Sequence, residues 1–287
     1  MDYDARRSSL FQPFLAPTVF ENAVPHMHDW VCAELARLAY TPFQHDLKQN
    51  ARLLSELRIG GFEWVDDFHT PGAQAIAVRL KTVDKLVLVF STLEPNLIDF
   101  ATDKHAATTP WFVGGHAHQG CVTILGSMWD RLTHSIGSRL EECVFTGHGM
   151  GAALAILAAS RVQSPMARLV TMGSPAVGDA DFVQTLQGMH IDRYVNCCDV
   201  MCTLPPTRLD YVHAGALLYI DSEGELHRSS PALEAIDLDR KAAHQAYPQD
   251  TKWVKDAAES RELADHAPIN YVRAMMPHSR ESAFQSL

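Results

Sequence analysis

Between residues 62 and 91 the apolar positions fall into short runs rich in β-branched and aromatic side chains. FEWVDDF (62–68), QAIAVRLK (74–81) and KLVLVFS (85–91) read as three strands joined by short turns. The second and third are joined through TVD, which predicts an antiparallel hairpin. The period changes on either side of this block. HDWVCAELARLAY (28–40) and GCVTILGSMWDRLTHSI (120–136) space their apolar residues as helices do. The stretch 95–112 is polar and mixed, with one short helical turn at most. CVFT (143–146) then reads as a strand, followed by a helix from Met150 to about Val162.

Further on, strands are expected at 167–174, 192–198 and 215–221, and helices at 179–189 and 251–266. This alternation argues for an α/β fold with a mostly parallel sheet. No repeat, low-complexity tract or linker interrupts residues 1–287, which predicts a single domain with residues 1–27 as an extended N-terminal arm. The polar excursion at 221–245 reads as a solvated loop, or as an insertion that contacts a partner.

Composition narrows the function classes. Apolar residues are 47% and charged residues 20%, as in globular proteins. A formal net charge of −10 argues against nucleic acid, where phosphates demand clustered Lys and Arg, and against docking on anionic membranes. Neither argument touches a neutral lipid. No apolar run reaches the roughly 18 residues of a membrane-spanning helix. The N-terminal stretch is broken by Pro13 and Pro17 and makes a poor secretory signal, so the expected location is cytoplasmic, or outside the cell after leaderless export. The six cysteines form no C-x-x-C and are expected to be buried free thiols.

The stretch with most chemistry in it is CVFTGHGMGAALAILAAS (143–160). Strand, glycine-punctuated turn and helix is the layout of a nucleophile elbow, with a serine at the centre of G-x-S-x-G. Gly147, His148 and Gly151 flank the apex, and the small residues Gly151, Ala152 and Ala153 meet its steric demand. The apex itself is Gly149. In such folds an acid follows a later strand and a histidine lies nearer the C-terminus. Asp199 and His266 stand in those places.

At this point the sequence resembles the class 3, fungal lipase-like branch of the α/β-hydrolases over roughly residues 60–275. TGHGMGAALAILAA is similar to the family's T-G-H-S-L-G-G-A-L-A, VTMGSPAVGDADF to T-F-G-x-P-R-V-G-D, and DHAPINY to D-H-x-x-Y. YVNCCDVMCTLPP resembles the family's acid-bearing strand, and YVHAGALLYID its Y-x-H-x-G-x-x-x-x-I. GGHAHQGC resembles V-H-x-G-F, and LVFSTLEPNLIDFATD resembles F-R-G-T…D-W…D. The resemblance implies an α/β-hydrolase fold with antiparallel N-terminal strands and a lid at 93–112. It also implies a neutral-lipid or acyl-ester ligand, no cofactor and no metal. Asp199 would orient the imidazole, and His266 would be general base and then acid. The oxyanion would be met by the N–H of Met150 and one near Thr92 or Leu93. The departures are Gly149 at the nucleophile position, Phe90-Ser91-Thr92-Leu93 in place of F-R-G-T, Ala176 for the arginine of P-R-V-G, and Cys121 for the aromatic.

Four readings stay open, beside a remaining one in which the protein is a binding module unrelated to lipids. The first is a pseudoenzyme that binds an acyl ligand or a protein partner without serine esterase chemistry. The second is a carboxylester or triacylglycerol lipase whose serine was replaced by Gly149. The third is attack by another residue, among Cys121, Cys143, Cys198 and Thr146. The fourth is a metal site from His116, His118, His148 or His266 with Asp199.

Overall fold

The computed structural model describes residues 3–43, 47–92, 107–206 and 210–277. At its centre is an eight-stranded sheet. In chain order its strands are β1 (Phe62–Thr70), β2 (Ala73–Leu80), β3 (Lys85–Thr92), β6 (Val144–His148), β7 (Arg168–Met172), β8 (His190–Asn196), β9 (Ala216–Ile220) and β10 (Leu226–His227), and their spatial order is the same. β1, β2 and β3 pair antiparallel, β3 to β9 run parallel, and β10 returns antiparallel. Two short strands, β4 (Thr108–Pro110) and β5 (His116–His118), form a separate antiparallel pair.

The period-2 pattern of β3 explains the two layers of core. Leu86, Leu88 and Phe90 point to one face of the sheet, while Val87 and Val89 point to the other. On the first face lie α4 (Gln119–Ile136) and α5 (Met150–Val162). On the second lie α2 (Asp29–Leu38) and α9 (Pro268–Met275), which pack together. A parallel sheet covered on both faces needs near-continuous apolar strands, and β3 and β6 are buried almost throughout.

α5 approaches the sheet closely because its first turn carries no bulk. A Cβ on Gly151 would lie 2.2 Å from the Phe90 carbonyl oxygen, and one on Gly147 would lie 2.4 Å from the Gly151 carbonyl carbon. This crossing sets the end of β3 beside the start of α5.

The N-terminal strands, the hairpin and α4 fall where the apolar pattern places them, and α5 has the expected bounds. Other expectations change. Of the predicted helix 251–266, only α8 (Arg261–Asp265) is helical. The preceding residues instead run beside the N-terminal segment, where Arg7 N–H donates to the Asp256 carbonyl and Ala258 N–H to that of Ala5. The polar excursion 221–245 is no loop throughout: it adds β10 and leads into α7 (Leu233–Asp250). α7 carries little sequence signal because it buries only Ile236, Ala243 and Tyr247, too thin a stripe for a clear period. The helix expected at 179–189 is α6 (Ala180–Gln184), started by the Asp179 carboxylate accepting from Phe182 N–H at 2.8 Å. Within 1–27, Arg7–Phe11 form the short helix α1, and Leu10, Phe20 and Val24 are buried in the second core layer. Apolar residues spaced through that segment dock it along the body. α3 (Leu47–Ile59) is an element the apolar pattern does not predict.

Candidate active site

Four connections bring the site together. β6 ends in His148, and Gly149 then turns the chain into α5 with φ 57° and ψ −125°. That positive φ suits glycine, since an L side chain there meets the backbone. Gly149 N–H donates to the Met172 carbonyl at 2.9 Å, which pins the turn to β7. The helix therefore begins at Met150, and its first N–H groups have no acceptor within the helix. β3 ends at Thr92, buried, beside this turn. Leu93 and most of the expected lid lie outside the described residues.

Asp199 caps a single 3-10 turn after β8 and is fully buried. Its carboxylate accepts from Met201 N–H at 2.9 Å, from the Tyr271 hydroxyl at 2.5 Å, and from His266 Nδ1 at 2.9 Å. His266 sits between α8 and α9. A Cβ built on Gly149 would stand 3.0 Å from His266 Nε2, so the elbow apex faces the nitrogen that Asp199 leaves free. Gly149, Asp199 and His266, distant in sequence, are one constellation in space.

His148 lies beneath them. Its ring stacks on that of His266 with centroids 4.3 Å apart, and its Nδ1 is 2.8 Å from the Tyr40 hydroxyl. Burial, and then the neighbouring His266, hold the His148 imidazole well below its ordinary pKa. It stays neutral near pH 7 and so brings no charge of its own to the stack. Tyr40 and Tyr271 are the residues that sequence reasoning misses. Tyr271 lies in DHAPINY, whereas Tyr40 ends an amphipathic helix and carries no signal of its own.

Gly173 lies in VTMGSPAVGDADF, and the structure gives its presence a reason. At φ 58° it follows β7, and a Cβ there would lie 2.5 Å from Asp199 Oδ2 and 3.1 Å from His266 Nδ1. Gly173→Ala is expected to push Asp199 away from the imidazole. Together, overpacking and the positive φ should cost roughly 2–4 kcal/mol. Chemical denaturation checks it, and an unchanged midpoint would refute the steric argument.

The other candidates fare differently. His116 is exposed and pairs with Asp179, and His118 caps α4 through Cys121 N–H, so neither joins His148 and His266. Ligand atoms of His148, Asp199 and His266 do lie within 4.8 Å of one another. Yet Nδ1 of His266 is committed to Asp199 and Nδ1 of His148 to Tyr40. Cys121 and Cys143 are buried core thiols pushed up to about 12 by burial, the wrong direction for a nucleophile. Thr146 is buried within β6, and Cys198 Sγ points to the Arg240 carbonyl. A cavity of about 530 Å³ lies between α7 and the N-terminal segment, lined by Tyr3, Asp250 and Arg261, away from Gly149.

Behind His266, Asp265 is buried and accepts from Tyr3, Arg261 and Cys198 N–H. Burial pushes its carboxyl up to about 6, against Arg261 and Tyr3, which pull it down. Its folded pKa is thus above the unfolded value of about 3.9. The folded state binds the proton more tightly, so the stability this group contributes is present below about pH 4 and lost as pH rises through about 6. The stability difference between the unmodified protein and Asp265→Asn should therefore shift against the unmodified protein over that window. Urea midpoints from about pH 4 to 7 measure it, and a flat difference would refute the assignment.

The family model for lipase (class 3) matches residues 85–209. The chain is 32% identical over 136 residues to a secreted mono- and diacylglycerol lipase A of Penicillium cyclopium, covering 42% of this chain and 44% of that protein. It spans less than half the length of the curated relatives it matches. Among solved structures, Rhizomucor miehei triacylglyceride lipase superposes with TM-score 0.59 at 19% identity, over 83% of this chain and 90% of that one. A triacylglycerol lipase whose catalytic centre is a serine-protease triad gives TM-score 0.60 at 18% identity with the same coverage. Among the described residues no helix is long and apolar enough to cross a membrane. The matched family segment runs over the elbow and the acid, and the sheet with its flanking helices gives the chain an α/β-hydrolase fold similar to that of the class 3 lipases.

Proposed function

We propose that this protein holds an acyl ester over the first turn of α5 and does so without a serine nucleophile. The observation that carries the reading is Gly149 itself. It has the turn geometry of an elbow apex and faces His266 Nε2, yet offers no atom that can attack a carbonyl. Around it the binding half of the machinery is kept: free N–H groups at the helix start, a buried Asp–His pair, and apolar strands beneath. The relatives named as lipases support an acyl ester as the ligand class.

The test joins two measurements on the unmodified protein. A fluorescent fatty acid should bind and be displaced by a short-chain ester. A fluorophosphonate serine label should leave the intact mass unchanged. A stoichiometric phosphonyl adduct abolished by changing any one serine would overturn the first part of the reading, and failure to bind any acyl probe would overturn the second. The alternative, a carboxylester lipase in which Gly149 replaced a serine, draws support from the undisturbed Asp199–His266 distance of 2.9 Å. Restoring the serine decides how much machinery is left.

A further inference from the structure

We propose that the Asp199–His266 pair activates water directly, so that a bound ester is hydrolysed slowly in a single displacement with no acyl-enzyme. The inference rests on the reading that an acyl ester occupies this site. Its own support is geometric. His266 is 3% exposed, and its Nδ1 is hydrogen-bonded to Asp199 at 2.9 Å. That bond fixes the ring and leaves Nε2 as the basic nitrogen. On the side of the ring toward Gly149 a Cβ would stand 3.0 Å from Nε2, and glycine places no side-chain atom there. The same spot overlooks the first N–H groups of α5, where an oxyanion is stabilised. His148, held neutral by burial, does not oppose a charge on His266.

The step balances. The water oxygen bonds to the carbonyl carbon while its proton passes to Nε2, and the carbonyl π electrons become an oxyanion facing Met150 N–H. Collapse re-forms the carbonyl and breaks the bond to the alcohol oxygen, which takes the proton from Nε2. One water is consumed, and acid and alcohol leave. Asp199, hydrogen-bonded to Nδ1, orients the ring and stabilises the imidazolium.

The experiment follows p-nitrophenyl butyrate with the full chain, whose phenolate leaves without needing that proton. Progress curves should be linear from the first turnover, slower in heavy water, and without a butyryl adduct in the intact mass. His266→Ala should lower the rate about 10²-fold or more, the usual share of a general base, and added imidazole should recover part of it. His266→Gln gives a second variant should alanine unfold the loop. Equal rates for the unmodified protein and a folded His266 variant would overturn the proposal, as would a burst with an adduct. Fatty-acid binding in the same samples separates the failures. Binding without His266-dependent turnover removes this inference alone, and loss of binding removes the acyl-ligand reading beneath it.

Discussion

Gly149→Ser is expected to turn this protein into an esterase that forms a covalent acyl-enzyme and depends on His266. Removing a serine nucleophile from an intact triad costs about 10⁶ in kcat, while positioning and the oxyanion hole keep roughly 10³–10⁴ over water. The gain here should be smaller than the full reversal, on the order of 10³-fold or more in kcat. Two features limit it. A serine Cβ would stand 3.0 Å from Nε2 and 3.1 Å from Cε1 of His266, so the imidazole must retreat by a few tenths of an ångström. The strand expected to complete the hole carries Phe90-Ser91-Thr92, and Ser91 donates to the Ala39 carbonyl at 2.6 Å, away from the elbow. A non-glycine residue at φ 57° also loses about 1–2 kcal/mol of stability. The measurement is p-nitrophenyl butyrate turnover with fluorophosphonate labelling, for Gly149→Ser alone and with His266→Ala. Turnover that needs both residues means only the nucleophile was missing. No gain in a folded variant means the hole limits the site, and an acyl-enzyme reading of this scaffold fails.

Much of this arrangement is written locally. The strands β1 to β3 announce themselves by apolar alternation, and α5 by glycines at its start and alanines within. These are short-range signals that need no tertiary information. The elbow is legible for the same reason, because its close contacts demand small residues at fixed spacing. Asp199 and His266 can be placed only through the order of motifs, since 67 residues separate them and no local pattern requires their meeting. Tyr40 is illegible. It reaches His148 across 108 positions because α2 lies on the second face of the sheet, which is a fact of packing. Gly173 shows the intermediate case. Its presence is visible, but its reason is the approach of a carboxylate 26 residues further on, as 199 minus 173 gives. α7 escapes the pattern because its buried stripe is thin, and 251–260 misleads because its order comes from the N-terminal segment beside it.

One buried side chain ties the Pro13–Pro17 stretch of that N-terminal segment to α2, and removing it should unsettle both fold and site. Arg37, in α2, is fully buried with Glu34. Its guanidinium donates to both Glu34 oxygens at 2.7 Å, to the Pro13 and Ala16 carbonyls at 2.6 and 3.2 Å, and to the Pro17 carbonyl at 3.1 Å. Glu34 in turn accepts from the Thr18 hydroxyl and Val19 N–H. Two buried charges and three backbone carbonyls are satisfied by this network. Arg37→Ala leaves a buried carboxylate without its cation, which should cost about 3–5 kcal/mol. Glu34→Gln/Arg37→Met should recover part of this by removing the stranded charge, and the carbonyls of Pro13 and Pro17 should keep it from recovering all, the Ala16 carbonyl keeping its donor in Arg52. Urea unfolding of the single and double variants measures both, and an Arg37→Ala protein within about 1 kcal/mol of the unmodified one would mean the network adds no more than an exposed pair. The effect should reach the site as well. Just beyond Arg37, the Ala39 carbonyl accepts from Gln74 and Ser91, and Tyr40 holds His148. In a Gly149→Ser background, Arg37→Ala should therefore lower kcat below what its loss of folded protein accounts for, because the stack that supports His266 is anchored through α2.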